Sequence, residues 1–172
     1  TEGGLRLSVK SAGDLTSALG SKLAVGQVAV VRGPYGRFGD KHSLWQGHAV
    51  WVAGGIGITP FLSLLQAEAE SGSQRKILLI WSYREHGELP YEEEVRSYLE
   101  RLPGLTFVHW SSKDRGRVSG KDIAEMLGGG QELVRRRYFI CGPKPMMKAL
   151  SRQLVDLGVH PRDVVFEDFN LI

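Results

Sequence analysis

The chain has 172 residues, 42% hydrophobic and 24% charged, which suits one globular domain or one domain with part of a neighbour. A net charge of +3, with no Lys/Arg block longer than Arg135–Arg137, gives no footing for nucleic acid, and no apolar run reaches the ~18 residues of a membrane-spanning helix. The lone cysteine, Cys141, excludes an internal disulfide and a cysteine-ligated iron–sulfur cluster, and it fits a reducing, cytoplasmic compartment.

Residues 1–40 read as the end of a β-domain. "LRLSVKS" (Leu5–Ser11) alternates polar and apolar residues as a strand does, "DLTSALGSKL" (Asp14–Leu23) has helical character, and "QVAVVRGPYG" (Gln27–Gly36) reads as a second strand ending in a turn. Two strands and a helix bury little core alone. Open strand edges pair with other chains, so the expectation is disorder near Thr1–Arg37 or a dimer through those strands. Residues 41–48 read as a linker.

From residue 49 to 172 strands and helices alternate. The strand patterns are Ala49–Ala53, Ile77–Ser82, Thr106–Trp110, Tyr138–Cys141 and Val164–Asp168. Each is almost continuously apolar, as parallel strands covered on both faces are. The first helix follows Thr59 as N-cap and Pro60 as first helical residue. The second opens at Pro90, with Glu92, Glu93 and Glu94 as a solvated first turn. A third covers Gly120–Leu127, capped by Ser119 and Asp122. The fourth begins near Pro143, turns Met147, Leu150, Leu154 and Leu157 inward, and stops at Gly158. Arg135–Arg137 reads as a solvated patch. The pattern predicts an α/β fold, a doubly wound five-stranded parallel sheet, preceded by a fragment of a β-domain.

Candidate site residues gather where strands end. "VAGGIGITP" (Val52–Pro60) is strand, glycines, helix. Glycines admit close approach of an anion, and the new helix presents its N–H groups, so a nucleotide pyrophosphate is the expected ligand; a tight turn without ligand is the alternative. Pro60 stands where the dinucleotide fingerprint has its last glycine. "WSYRE" closes the second strand, where Ser82 and Arg84 can meet an adenosine 2′-phosphate and Tyr83 can stack on adenine. "CGPKPMM" closes the fourth strand, where Cys141 would point into the cleft or sit as a small buried hydrophobe. The five histidines show no metal spacing.

Five motifs in order resemble the ferredoxin–NADP reductase superfamily, and within it the ferric-reductase and NADPH-oxidase branch. They are Gly13-Asp14-Leu15-Thr16-Ser17, Gly33-Pro34-Tyr35-Gly36-Arg37-Phe38, Gly54-Gly55-Ile56-Gly57-Ile58-Thr59-Pro60, Cys141-Gly142-Pro143 and Phe166-Glu167-Asp168-Phe169. The resemblance implies an antiparallel FAD-binding β-barrel followed by an NADP(H)-binding domain, with hydride passing from NADPH to FAD and electrons onward. It implies that Gly54, Gly55, Gly57, Thr59 and Pro60 hold the NADP pyrophosphate and nicotinamide region. Cys141 would lie beside the nicotinamide, with Gly142, Pro143 and Met146 at the same strand end. Ser82 and Arg84 would meet the 2′-phosphate, with Arg115 and Arg117 as further candidates. Gly13, Thr16 and Ser17 match the FAD pyrophosphate segment, Phe169 the aromatic that covers the isoalloxazine ring, and Glu167 its accompanying acid.

The family's flavin-gripping segment would lie before Leu5, so the chain is expected to be part of a longer protein and to bind FAD weakly alone. The acceptor implied is a haem or an iron–sulfur centre. In the ferric-reductase branch it is a haem in a membrane domain of the same polypeptide, which would place this part at the cytoplasmic face. Two rivals stand beside this: a nucleotide-binding relay or regulatory subunit without turnover, and an α/β nucleotide module unrelated to redox.

Overall fold

The computed structural model describes residues 4–33, 35–85 and 89–167. The chain divides into two compact units, Thr1–Gly36 and Arg37–Ile172.

The second unit is built on five strands: β1 (Ala49–Gly54), β2 (Ile77–Tyr83), β3 (Leu105–Ser111), β4 (Arg137–Cys141) and β5 (Val164–Glu167). All neighbours run parallel, in the order β3-β2-β1-β4-β5. Each strand matches its sequence pattern to within about a residue at either end.

Strand alternation divides the core into two layers. On one face Trp51, Ala53, Leu79, Trp81, Phe139 and Cys141 pack with Phe38, Phe61, Leu65 and Val95. These last come from α2 (Phe38–Ser43), α3 (Thr59–Glu70) and α4 (Glu92–Ser97). On the other face Val50, Val52, Ile80, Tyr138 and Ile140 pack with Ile123, Leu133, Leu150 and Leu154. Their helices are α6 (Gly120–Met126), α7 (Gly130–Val134) and α8 (Lys144–Asp156); the short α5 (Ser112–Arg115) follows β3. Helices on both faces of a parallel sheet make the fold doubly wound.

Local chemistry explains most helix ends. Ser119 accepts from Asp122 N–H and Asp122 from Ser119 N–H, the reciprocal cap that the spacing predicts. Gly158, at φ 96°, lets the chain leave α8. Thr59 differs from expectation: it is the first residue of α3 and makes no capping bond. The 3-10 turn Gly55–Ile58 runs directly into α3, so the helical segment already begins at the glycines and needs no cap at Thr59.

The linker reading of residues 41–48 gives way to packed structure. α2 inserts Phe38 and His42 into the core, with Phe38 edge-on to Phe61 and Phe139 at 5.6 and 5.4 Å. The arginine patch is also less solvated than expected. Arg136 is buried and pairs with Glu132 at 2.8 Å, and Arg137 opens β4 over the Trp45 ring at 4.3 Å.

The first unit holds α1 (Asp14–Lys22) and, among its described residues, no strand. The two strands expected over Leu5–Ser11 and Gln27–Gly36 are therefore not formed among the described residues. Their alternating apolar residues, Leu5, Leu7, Val9, Val28 and Val30, are all exposed. A strand needs a partner for its N–H and C=O groups as well as a face to bury. With no strand among the described residues here, the open-edge argument for a dimer loses its premise. Among the described residues no helix is long and apolar enough to cross a membrane.

Candidate functional site

The order β3-β2-β1-β4-β5 reverses direction between β1 and β4. The chain leaving β1 enters α3 on one face, and the chain leaving β4 enters α8 on the other. A crevice opens between such diverging loops at the carboxyl edge, the usual ligand position in this architecture. The two loops there are Gly54–Thr59 and Cys141–Met146.

These loops pack backbone against backbone, and the glycines divide into two kinds. A Cβ on Gly57 would land on the Cys141 carbonyl. A Cβ on Gly54 would lie 2.8 Å from Pro143 Cδ and 2.9 Å from the Met146 sulfur, and one on Gly142 would lie 2.9 Å from Gly54 Cα. Gly54, Gly57 and Gly142 are thus glycines because the loops touch. Gly55 differs: its φ is 54° and a Cβ there would meet nothing within 4 Å. Space is open at Gly55, at the start of a helical segment running to Glu70, whose first N–H groups have no acceptor within the segment.

The register carries the edge outward. Gly54 pairs with Ser82, Ser82 with Trp110, and Tyr83 with Ser111. Arg84 therefore follows β2 beside the turn that carries Lys113, Arg115 and Arg117 after β3, and all four cations are exposed. Arg115 lies over the Trp110 ring at 4.3 Å, so its guanidinium has a fixed platform. The Ser112 hydroxyl donates to the Tyr83 carbonyl at 3.0 Å and ties the two strand ends together. Ser82 is half-buried at this edge.

Two sequence expectations change here. Tyr83 is buried, 8% exposed, with its ring edge-on to His109 at 6.1 Å. It faces the α3 layer, so it is not placed to stack on a base. Cys141 does not point into the cleft. Strand alternation continues from Phe139 and puts its side chain, 0% exposed, in the same layer as Trp51 and Ala53. The small buried hydrophobe is the alternative the structure takes. Glu167 is half-buried and pairs in register with Cys141. Phe169 lies outside the described residues.

In the first unit, Gly13 and Thr16 meet at the start of α1. The Thr16 hydroxyl accepts from the Ala12 and Gly13 N–H groups at 3.0 Å each, and the Ser17 hydroxyl bonds Ser11 at 2.7 Å. Both hydroxyls thus shape the start of an exposed helix with no buried residue.

Sequence reasoning missed Trp81. Its indole N–H donates to the Gly55 carbonyl at 2.9 Å, from β2 into the glycine turn. A buried indole usually finds an acceptor for its N–H, but the sequence does not say that Trp81 rather than Trp51 finds one.

The family described as the oxidoreductase NAD-binding domain matches residues 51–152, more than half the chain. The chain is 29% identical over 167 residues to the reductase component of propane 2-monooxygenase from Rhodococcus jostii, covering 91% of this chain and 44% of that protein. It is 31% identical over 149 residues to the ferredoxin reductase component of 3-ketosteroid-9-alpha-monooxygenase from Rhodococcus rhodochrous, covering 86% and 41%. The chain thus spans under half the length of these curated relatives. Among solved structures, the CS-b5R domains of human Ncb5or in the NAD+ form superpose with a TM-score of 0.67 at 18% identity, covering 93% of this chain and 47% of that one. The flavohemoglobin of Malassezia yamatoensis with bound FAD and heme gives 0.66 at 23%, covering 76% and 34%. At these identities the structural likeness shows the fold. Loop geometry, strand order and sequence match agree: the chain belongs to the oxidoreductase NAD-binding domain family, within the ferredoxin–NADP reductase-like superfamily.

Proposed function

We propose that this chain is the nicotinamide-nucleotide-binding portion of an NAD(P)H-dependent flavoprotein reductase that feeds electrons to a haem or iron–sulfur acceptor. The observation that carries the reading is the open Gly55 turn at the start of α3, set at the point where strand order reverses. The relatives named above are reductase components of oxygenases, and the flavohemoglobin holds FAD and heme, which supports flavin and acceptor classes.

The residues divide the nucleotide between them. Gly55 gives a pyrophosphate room to reach the backbone, while Gly54, Gly57, Gly142, Pro143 and Met146 hold the two loops in place. Thr59 and Pro60, both half-buried, open α3 beside that anion, where the helix dipole favours negative charge. Ser82, Arg84, Arg115 and Arg117 would meet a 2′-phosphate at the β2–β3 edge. Cys141 marks the strand end beside which the nicotinamide would lie, but its buried thiol has no assigned step. When bound, NADPH supplies a hydride and FAD accepts it and releases electrons singly. Gly13, Thr16 and Ser17 would shape the approach of the FAD pyrophosphate, with Glu167 and Phe169 at the flavin face on the strength of the motif. The ferric-reductase branch, with its haem in a membrane domain of the same polypeptide, rests on the motif set alone.

Calorimetric titration of the chain with NADP+ and NAD+ tests the nucleotide reading. NADP+ is expected to bind more tightly. Arg84→Ala should weaken NADP+ by roughly a hundredfold and spare NAD+, since a charge-assisted bond is worth about 2–3 kcal/mol. Equal loss for both nucleotides would remove Arg84 from the phosphate site, and no binding of either would overturn the reading.

A further inference from the structure

Two tryptophans lie on the α3 face of the sheet, in adjacent strands, and both are fully buried. Trp51, on β1, stacks on Phe61 at 5.5 Å, and its indole nitrogen has no hydrogen-bond partner. Trp81, on β2, has one: the Gly55 carbonyl at 2.9 Å. One indole is present for its volume. The other reaches out of its own strand into the turn where the nucleotide is proposed to bind.

Resting on the nucleotide reading above, we infer that Trp81 is a positioning residue for that turn. Its indole N–H fixes the Gly55–Ile56 peptide and so aims the Ile56 N–H into the crevice. The peptide is planar and trans, so its C=O and N–H point in opposite directions. With the Gly55 carbonyl drawn down onto Trp81 in the core, the Ile56 N–H faces away from the core. It is among the first N–H groups of the helical segment, which have no acceptor within it. The 3-10 turn Gly55–Ile58 restrains this orientation only through its own short, poorly aligned i→i+3 bonds. A glycine populates both signs of φ about equally, and no neighbouring atom within 4 Å of its Cβ position restricts it. The indole adds a side-chain restraint to the one the short 3-10 turn provides.

The bond also links two parts of the site. Trp81 lies one residue before Ser82 and three before Arg84, the residues proposed for the adenosine phosphate, and it pairs in register with Ala53. Its role on the pyrophosphate loop predicts an effect shared by NADP+ and NAD+, unlike that of Arg84.

The test compares Trp81→Phe with Trp51→Phe in the full chain. Titrations with NADP+ and NAD+ are combined with amide hydrogen exchange at Ile56 and thermal melts of the free protein. Trp81→Phe is expected to weaken both nucleotides about five- to twentyfold with their ratio unchanged, and to alter Ile56 exchange without nucleotide present. Trp51→Phe should leave affinities within twofold, because it removes a donor that bonds nothing. If Trp81→Phe fails to fold, β-(3-benzothienyl)alanine at position 81 keeps the ring shape and removes only the N–H. Wild-type affinity in the Trp81 variant, or equal losses in both variants, overturns the positioning role and leaves the nucleotide reading standing. Absence of any binding by the unmodified chain overturns both.

Discussion

His42 shows how a single side chain can tune the fold. It is 3% exposed beneath the sheet, with Nε2 3.2 Å from an Arg75 terminal nitrogen and 3.4 Å from a Glu68 oxygen. Arg75 also grips Glu68 through Nε at 3.0 Å and the Trp45 carbonyl through its other terminal nitrogen. Burial first, and the Arg75 charge second, push the His42 pKa down to about 4. Its folded pKa thus lies below the unfolded value near 6.5, so the native state keeps it neutral while the unfolded chain takes up a proton. The stabilisation is whole above pH 6.5 and falls away toward pH 4, roughly 3 kcal/mol in all. Urea unfolding should lose about 2 kcal/mol between pH 7 and pH 5, and His42→Gln should flatten that slope. An unchanged slope in the variant would show the loss to come from other groups. Nothing in the sequence marked His42, which stood in a stretch read as linker; its burial depends on α3 and Arg75, distant along the chain.

The strand-to-helix elements explain what was legible and what was not. Apolar runs located all five strands, helical spacing located α3 and α8, and the Ser119/Asp122 cap located α6. The glycine loop was legible as a strand-to-helix turn, and the packing adds a second reason for its glycines. Three glycines were assigned to a ligand; at Gly54 and Gly57 a side chain is also excluded by the second strand-end loop that presses on them. That contact is between residues nearly ninety apart, and a local motif cannot state it. The distinction is testable. Gly57→Ala should unfold the domain at markedly lower temperature, since its Cβ would collide with the Cys141 backbone. Gly55→Ala should cost only about 1 kcal/mol for its positive φ, yet weaken nucleotide binding more than its own small stability loss would suggest. Similar melting temperatures for the two variants would contradict this division. Alternation failed as a guide at Leu5–Ser11, because a pattern names the face of a strand without supplying the neighbour that makes it one.

At the scale of the molecule, the parallel sheet has two functional edges. The carboxyl edge gathers the open Gly55 turn, the Trp81 tie and the basic β2–β3 corner. The opposite edge is closed by structural bonds, including Ala49 N–H to the Lys76 carbonyl, Lys76 N–H to His48 and Ile77 N–H to the Gly104 carbonyl. In the proposed function a nicotinamide nucleotide spans the carboxyl edge from Arg84 to Gly142. Amide chemical-shift mapping of the chain with NADP+ tests it most directly. Saturable shifts at Gly55, Ile56, Ser82, Arg84 and Gly142, with His48, Lys76 and Gly104 unmoved, are the predicted result. Shifts centred on the opposite edge, or none at millimolar nucleotide, would contradict it.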